Sequence, residues 1–321
     1  MKMKTMVNRF LSLLILTVVG MSTPVWSALN TALWAERIAS TDTVVRASAL
    51  KDLRALDHAG KIQAASILGS VLHRGPADAE RAAWGLAQLG ADSEPALLDL
   101  IYALSYDEES VAIAVSSAIV PMGGHAVSAL ERSLEDGNFF IRRRTADILG
   151  QIGPAAAPAV HSLLERLTDP QYEVQTAAEQ AIRRVGAAGI PELIDAYPDG
   201  DESLRRRMVQ IMSKFGIRAA APLINIAKKD PSGYVRMNAM EALTQFQPVP
   251  KEALPVFIGA LSDMDEGVRG GAVDALSTLG VDAKLAIPTL KRITTNDPDS
   301  LVRQKAADAI AVISSSETLK K

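Results

Sequence analysis

The chain has 321 residues, no cysteine, and 34 Lys and Arg against 37 Asp and Glu, a formal net charge of −3 at neutral pH. Without thiols there are no disulfides and no thiolate metal ligands, and the mild acidity removes the electrostatic case for nucleic acid. This length would ordinarily suggest two domains, but a chain built of repeats grows in one dimension without a boundary.

The first 27 residues differ in kind from the rest. Lys2, Lys4 and Arg9 form a basic start, Phe10 to Val19 a short apolar run, and Val25 and Ser27 are small enough to precede cleavage between Ser27 and Ala28. That order predicts a secretory signal peptide over 1–27. Its apolar run is well short of the roughly 20 residues that span a bilayer, so no permanent membrane anchor is expected. Cleavage would leave 31 cations against 37 anions, a net charge of −6, on a periplasmic or secreted chain.

From Leu29 onward one apolar pattern returns nine times. It starts with Val45, Ala49, Leu53 and Leu56, continues through Leu86 and Leu89, then Val111, Ile119 and Met122, and through Ile141, Ile148, Leu149 and Ile152. It returns with Val174, Ala178, Ala181 and Ile182, with Leu204, Met208, Ile211 and Met212, and with Val235, Ala239, Ala242, Leu243 and Phe246. The last copies are Val268, Ala272, Ala275, Leu276 and Leu279, and Val302, Ala306, Ala309, Ile310 and Ile313. Offsets of 0, 4, 7, 8 and 11 return to one face of a helix with 3.6 residues per turn, so each copy carries one amphipathic helix.

Between these lies a second helical segment per copy, such as Pro158 to Leu167, Pro191 to Tyr197, Pro222 to Lys228, Leu254 to Leu261 and Ala286 to Ile293. Gly90, Gly123, Gly153, Gly186, Gly216 and Gly280 stand just past the last apolar position, where a left-handed residue is expected to end the helix. The pairs Asp169-Pro170, Asp230-Pro231 and Asp297-Pro298 predict an N-cap followed by a first-turn proline. A hairpin of about 30 residues cannot bury its apolar face alone, so neighbours must stack. The prediction is all-α: one α-α solenoid over 28–316, with 317–321 a short polar tail.

Six aspartates, Asp136, Asp169, Asp199, Asp230, Asp263 and Asp297, recur every 30 to 34 residues, and five have an arginine six residues later. Those are Arg142, Arg205, Arg236, Arg269 and Arg303, while Gln175 follows Asp169. This pattern resembles the HEAT-repeat family, including the short HEAT-like repeats of phycobilin lyases. The resemblance implies a right-handed α-α superhelix of about nine hairpins. It also implies a hydrogen-bonded ladder of Asp136 with Arg142, Asp199 with Arg205, Asp230 with Arg236, Asp263 with Arg269 and Asp297 with Arg303. Gln175 can still donate there without charge; Ala112, in the third copy, cannot, and the stack is expected to be weaker at that point.

Regular recurrence is what a structural joint requires and what a single active site does not. The candidate positions for binding are offsets 2, 6 and 9 of each second helix, which lie off the buried stripe. They include Arg143, Asp147 and Gly150, Arg183, Arg206 and Gln210, Glu241, and Gly270 with Asp274. The candidate partner-binding set is Arg143, Asp147, Arg183, Arg206, Gln210, Glu241 and Asp274, with Arg144, Arg184 and Arg207 reinforcing its basic part. A face of mixed charge suits a protein or peptide better than a polyanion.

Motifs for chemistry are absent. His58, His73, His125 and His161 are scattered over different copies without the i, i+4 spacing of a helical metal site. No nucleophile elbow, phosphate loop or complete calcium loop occurs, and Asp199-Gly200-Asp201-Glu202 reads as a capped turn. No catalytic residue, metal or cofactor is expected. Trp34 and Trp84 are expected in the core, Tyr102 and Tyr106 at a rim, and Phe139-Phe140 exposed. The sequence therefore predicts an exported scaffold or adaptor that binds another protein or peptide in the cell envelope or outside the cell. Its alternatives are a regulatory subunit of an envelope enzyme and, by analogy alone, a lyase-like enzyme.

Overall fold

The computed structural model describes residues 36–315. The signal-peptide segment, Trp34 and the tail 317–321 lie outside the described residues. The chain divides into two compact units between Thr145 and Ala146. Among the described residues it contains helices and turns and no strand.

The first unit runs through α1 (Thr43–Arg54), α2 (His58–Val71), α3 (Pro76–Ala87), α4 (Leu97–Ala103), α5 (Glu109–Ile119), α6 (Gly124–Ser133) and the start of α7 (Phe139–Ile152). The second unit continues with α8 (Val160–Glu165), α9 (Tyr172–Val185), α10 (Ile190–Ala196), α11 (Glu202–Met212) and α12 (Ala220–Lys229). It ends with α13 (Gly233–Thr244), α14 (Leu254–Ala260), α15 (Glu266–Leu279), α16 (Ile287–Asn296) and α17 (Ser300–Ser315). The odd-numbered helices are the nine that carry the repeated apolar pattern. In the first unit α3 packs on α2 and α5, and in the second α13 packs on α12, α11 and α15, and α17 on α16 and α15. This is the expected α-α superhelical class.

The apolar offsets explain the packing. Val235, Ala239, Ala242 and Leu243 on α13 are buried, as are Val268, Ala272, Ala275 and Leu276 on α15 and Val302, Ala306, Ala309 and Ile313 on α17. Each buried Leu, Val or Ile contributes about 1.5–3 kcal/mol, and the alanines at offsets 4 and 7 let neighbouring helices approach. Gly150 and Gly270, expected on the open face, are buried instead. At Gly150 the reason is contact between helices: a Cβ there would lie 2.9 Å from the Cα of Ala181 on α9.

The turns depart from expectation in two ways. Gly123, Gly186, Gly216 and Gly280 do have positive φ, but their ψ values of −131°, −145°, −154° and −128° lie outside the left-handed helical well. That region is open essentially to glycine alone. At Gly186 and Gly280 it ends the second helix and starts a 3-10 turn, Gly216 breaks the 3-10 run Ser213–Ala219, and Gly123 stands between the 3-10 turn Val120–Met122 and the start of α6. The Asp-Pro pairs are not caps either. The carboxylates of Asp169, Asp230 and Asp297 accept from the backbone N–H two residues on, at 2.9, 2.8 and 2.9 Å, before the helix begins. Asp136 and Asp263 do the same without a proline. These are Asx turns, which the short carboxylate closes on its own backbone. Capping falls to Asp201, Asp265 and Asp299, which accept from Leu204, Val268 and Val302 N–H.

Candidate functional site

The recurring arginines make bonds of two kinds, and Arg205, Arg236 and Arg269 make both. One guanidinium N–H goes to a carbonyl in the turn of the same hairpin: Arg142 to Asp136 O at 2.7 Å, Arg236 to Asp230 O at 2.8 Å, Arg269 to Asp263 O at 3.0 Å and Arg303 to Asp297 O at 2.7 Å. Gln175 donates to Asp169 O at 2.7 Å in the same way. The charged partner, however, belongs to the following hairpin. Arg205 donates to the Asp230 carboxylate at 2.8 Å, Arg236 to Asp263 at 2.6 and 2.9 Å, and Arg269 to Asp297 at 2.7 and 3.0 Å. The ladder is therefore staggered by one repeat, which is how it ties successive hairpins together. Asp199 is exposed, and Arg205 takes the carbonyl of Gly200 at 2.7 Å in its place.

Burial pushes the Asp230 carboxyl up, but bonds from Arg205, Tyr197 Oη and the Ser232 N–H, together with the Arg205 charge, hold it below the ordinary range. Asp263 balances the same way against Arg236. The Arg269 hydrogen bond is the largest influence on Asp297 and lowers it, with burial opposing. Burial and then the Asp230 bond push the Tyr197 hydroxyl up, so it stays a donor. These charges are saturated by one another, and ion-pair networks of this kind perturb pKa values without catalysis.

The third copy is not left open. Arg144, two residues beyond the ladder arginine of α7, is buried and turns back into the preceding turn. It donates to Leu104 O at 2.9 Å, to Tyr106 O, and to Asp107 O at 3.0 Å, with its guanidinium 5.2 Å above the Phe140 ring. Tyr106 O is the carbonyl six residues before Ala112, the acceptor that an arginine at 112 would take. Arg207 stands in the same place on α11 and donates to Leu167 O at 2.7 Å, eight residues before Gln175, as Leu104 is eight before Ala112. The turns at Ala112 and Gln175, which have no ladder arginine, are thus each served by an extra arginine 32 residues later. Arg144 and Arg207 belong to the framework, not to an open basic face.

The seven candidate residues divide. Arg183 on α9, Gln210 on α11 and Glu241 on α13 line one groove of about 330 Å³ in the second unit. Val209, Ser213, Lys214, Asn238, Ala242 and Gln245 complete its lining. Arg206 is exposed outside it. Arg143 lies 3.4 Å from Glu109, Asp274 pairs with Lys305 at 2.6 Å, and Asp147 is half-buried on α7. Sequence reasoning missed Asn238 and Gln245. With Glu241 they make an i, i+3, i+7 stripe along α13 and its C-cap residue Gln245, a spacing that places all three on one face.

In the groove Arg183 is already engaged by Glu179 at 2.7 Å, and Glu179 also takes Arg207 at 3.0 Å. Burial pushes the Glu179 carboxyl up, and these two arginines more than offset it, leaving it low. Among the described residues, the side chains of Gln210, Lys214, Asn238, Glu241 and Gln245 make no hydrogen bond or ion pair within the protein. The groove therefore offers three carboxamides, one cation and one anion to a partner.

Elsewhere two of the histidines pair with carboxylates. His58 pairs with Asp92 and His73 with Asp99, both at 2.8 Å, and the His73 ring lies 4.4 Å from that of Tyr102. Trp84, expected in the core, is 39% exposed, because α3 turns that position away from the stripe of Ala79, Ala82, Ala83 and Leu86. Phe139 and Phe140 are half-buried against each other, 4.2 Å apart. Among the described residues no cluster of three or more His, Asp or Glu could hold a metal ion, and no helix is long and apolar enough to cross a membrane.

Residues 220–311 match the family model described as HEAT repeats. No curated protein matches the sequence. Several solved structures are similar. The complex of CpcE and CpcF of phycocyanin lyase from Nostoc sp. PCC7120 is 21% identical, over 47% of this chain and 98% of that one, with a TM-score of 0.40. The archaeal HEAT-like repeats protein from Thermococcus onnurineus NA1 is 14% identical, over 68% and 97%, with a TM-score of 0.39. Kap121p bound to Nup53p is 15% identical over 89% of this chain and 41% of that one, with a TM-score of 0.47. Residues 220–311 thus carry HEAT-like repeats.

Proposed function

We propose that this protein is an exported HEAT-repeat scaffold or adaptor that binds another protein or a peptide in the cell envelope or outside the cell. One observation carries the reading. Arg183, Gln210 and Glu241, singled out by helix geometry alone, line one groove across three successive second helices. A concave site with a few polar groups over buried apolar residues is the usual form of a recognition surface. The basic, apolar and small-residue order of 1–27 supports export.

Lys214 and Glu241 are the groove charges without a partner inside the protein, so reversing them disturbs no internal ion pair. A partner recovered by crosslinking in the envelope fraction is expected to bind K214E/E241K at least tenfold more weakly than the parent chain. Equal binding would contradict the groove reading, and turnover of a substrate by the purified chain alone would contradict the scaffold reading.

A further inference from the structure

We propose that the groove takes an extended peptide segment and holds it by main-chain amides rather than by a particular side chain, an inference that rests on the scaffold reading above. Gln210 on α11, Asn238 on α13 and Gln245 at the C-cap of α13 present three carboxamides. Each carboxamide offers a carbonyl acceptor and two N–H donors, the complement of one peptide unit. Three such groups without internal partners, spread along one groove, match the repeating donor and acceptor pattern of an extended backbone.

The charges agree with an occupant of low net charge. Arg183 is offset by Glu179, leaving Lys214 and Glu241 as one free cation and one free anion. A polyanion would meet Glu241 and three neutral amides where it needs guanidinium or ammonium groups. Shape agrees as well. Neighbouring helices pack about 8–10 Å apart, while an α-helix with its side chains is about 10–12 Å wide, so a helical ligand would ride above the groove. An extended chain, rising about 3.3 Å per residue, can lie in it. Its floor between the two helices is apolar, since Val209 and Ala242 are buried, and competes for none of the ligand's hydrogen bonds.

The test uses the full chain and a phage-displayed library of random dodecapeptides. Selected peptides are resynthesised with and without N-methyl groups on their central amides, and heparin serves as the polyanion. The variant is Q210A/N238A/Q245A, which should fold normally because alanine is the best helix former. We expect peptides of varied sequence to bind, the triple variant to weaken them at least tenfold at unchanged Tm, and N-methylation to abolish binding. Three results would overturn the inference: no selected peptide, undiminished binding to the triple variant, or undiminished binding after N-methylation. Competition by heparin that depends on the three carboxamides would also overturn it. The scaffold reading would survive any of these if the envelope partner still responds to K214E/E241K, so the two failures are distinguishable.

Discussion

At the residue level, charge decides what is joint and what is surface. Arg269 and Asp297 are nearly buried on each other, and removing one partner of such a pair costs about 3–5 kcal/mol because the other stays desolvated. Arg269→Ala is therefore expected to lower stability by that order in thermal or urea unfolding, whereas Arg206→Ala, on an exposed side chain, should change it by less than about 0.5 kcal/mol. The pH dependence follows from Asp230, Asp263 and Asp297, all held below their ordinary values. A carboxyl whose folded pKa is depressed contributes its full stability above the unfolded value, near pH 4, and loses it as pH falls through the folded value. Unfolding midpoints should thus be flat with respect to these groups from about pH 5 to neutrality and fall below about pH 4. A midpoint unchanged at pH 3 would contradict this. The aspartates and arginines were legible because they recur. Their stagger was not, because a period cannot say whether an arginine reaches its own carboxylate or the next one. Arg144 and Arg207 left a fainter trace: each stands 32 residues after a missing ladder arginine, at Ala112 and Gln175.

At the level of the element, helix periodicity was enough to place every second helix among the described residues. It did not reveal which offsets face a neighbour closely. Gly150 lies on the nominally open side of α7, yet the approach of α9 leaves no room for a Cβ. Gly150→Ala is expected to destabilise by roughly 1–2 kcal/mol despite the better helix propensity of alanine, since overpacking a close contact outweighs it. A raised Tm would show that the helices can part at no cost. The turn of the third copy offers a second test. Arg144→Ala should cost about 2–4 kcal/mol, because several turn carbonyls lose a charged donor at once. Adding Ala112→Arg should restore part of that loss by supplying the same acceptor from within the repeat. No recovery in the double variant would mean that Arg144 acts by packing on Phe140 alone.

At the level of the whole molecule, the fold class could be read directly, since about 30 residues cannot bury an apolar face without a neighbour. The groove was legible in part: offset 6 found Gln210 and Glu241 and offset 9 found Arg183, but the free amides of Asn238 and Gln245 depend on what α11 leaves uncovered. The partner was not legible at all, because side chains that are free to bind look, in sequence, like side chains that are merely solvated. The central claim is a division of labour in which the buried arginines join the repeats and the unpaired groove residues bind. The most direct test is to measure partner affinity and Tm together for K214E/E241K and for R269A. The account predicts weakened binding at unchanged Tm for the first and a lowered Tm for the second. Full affinity in K214E/E241K at unchanged Tm would contradict it.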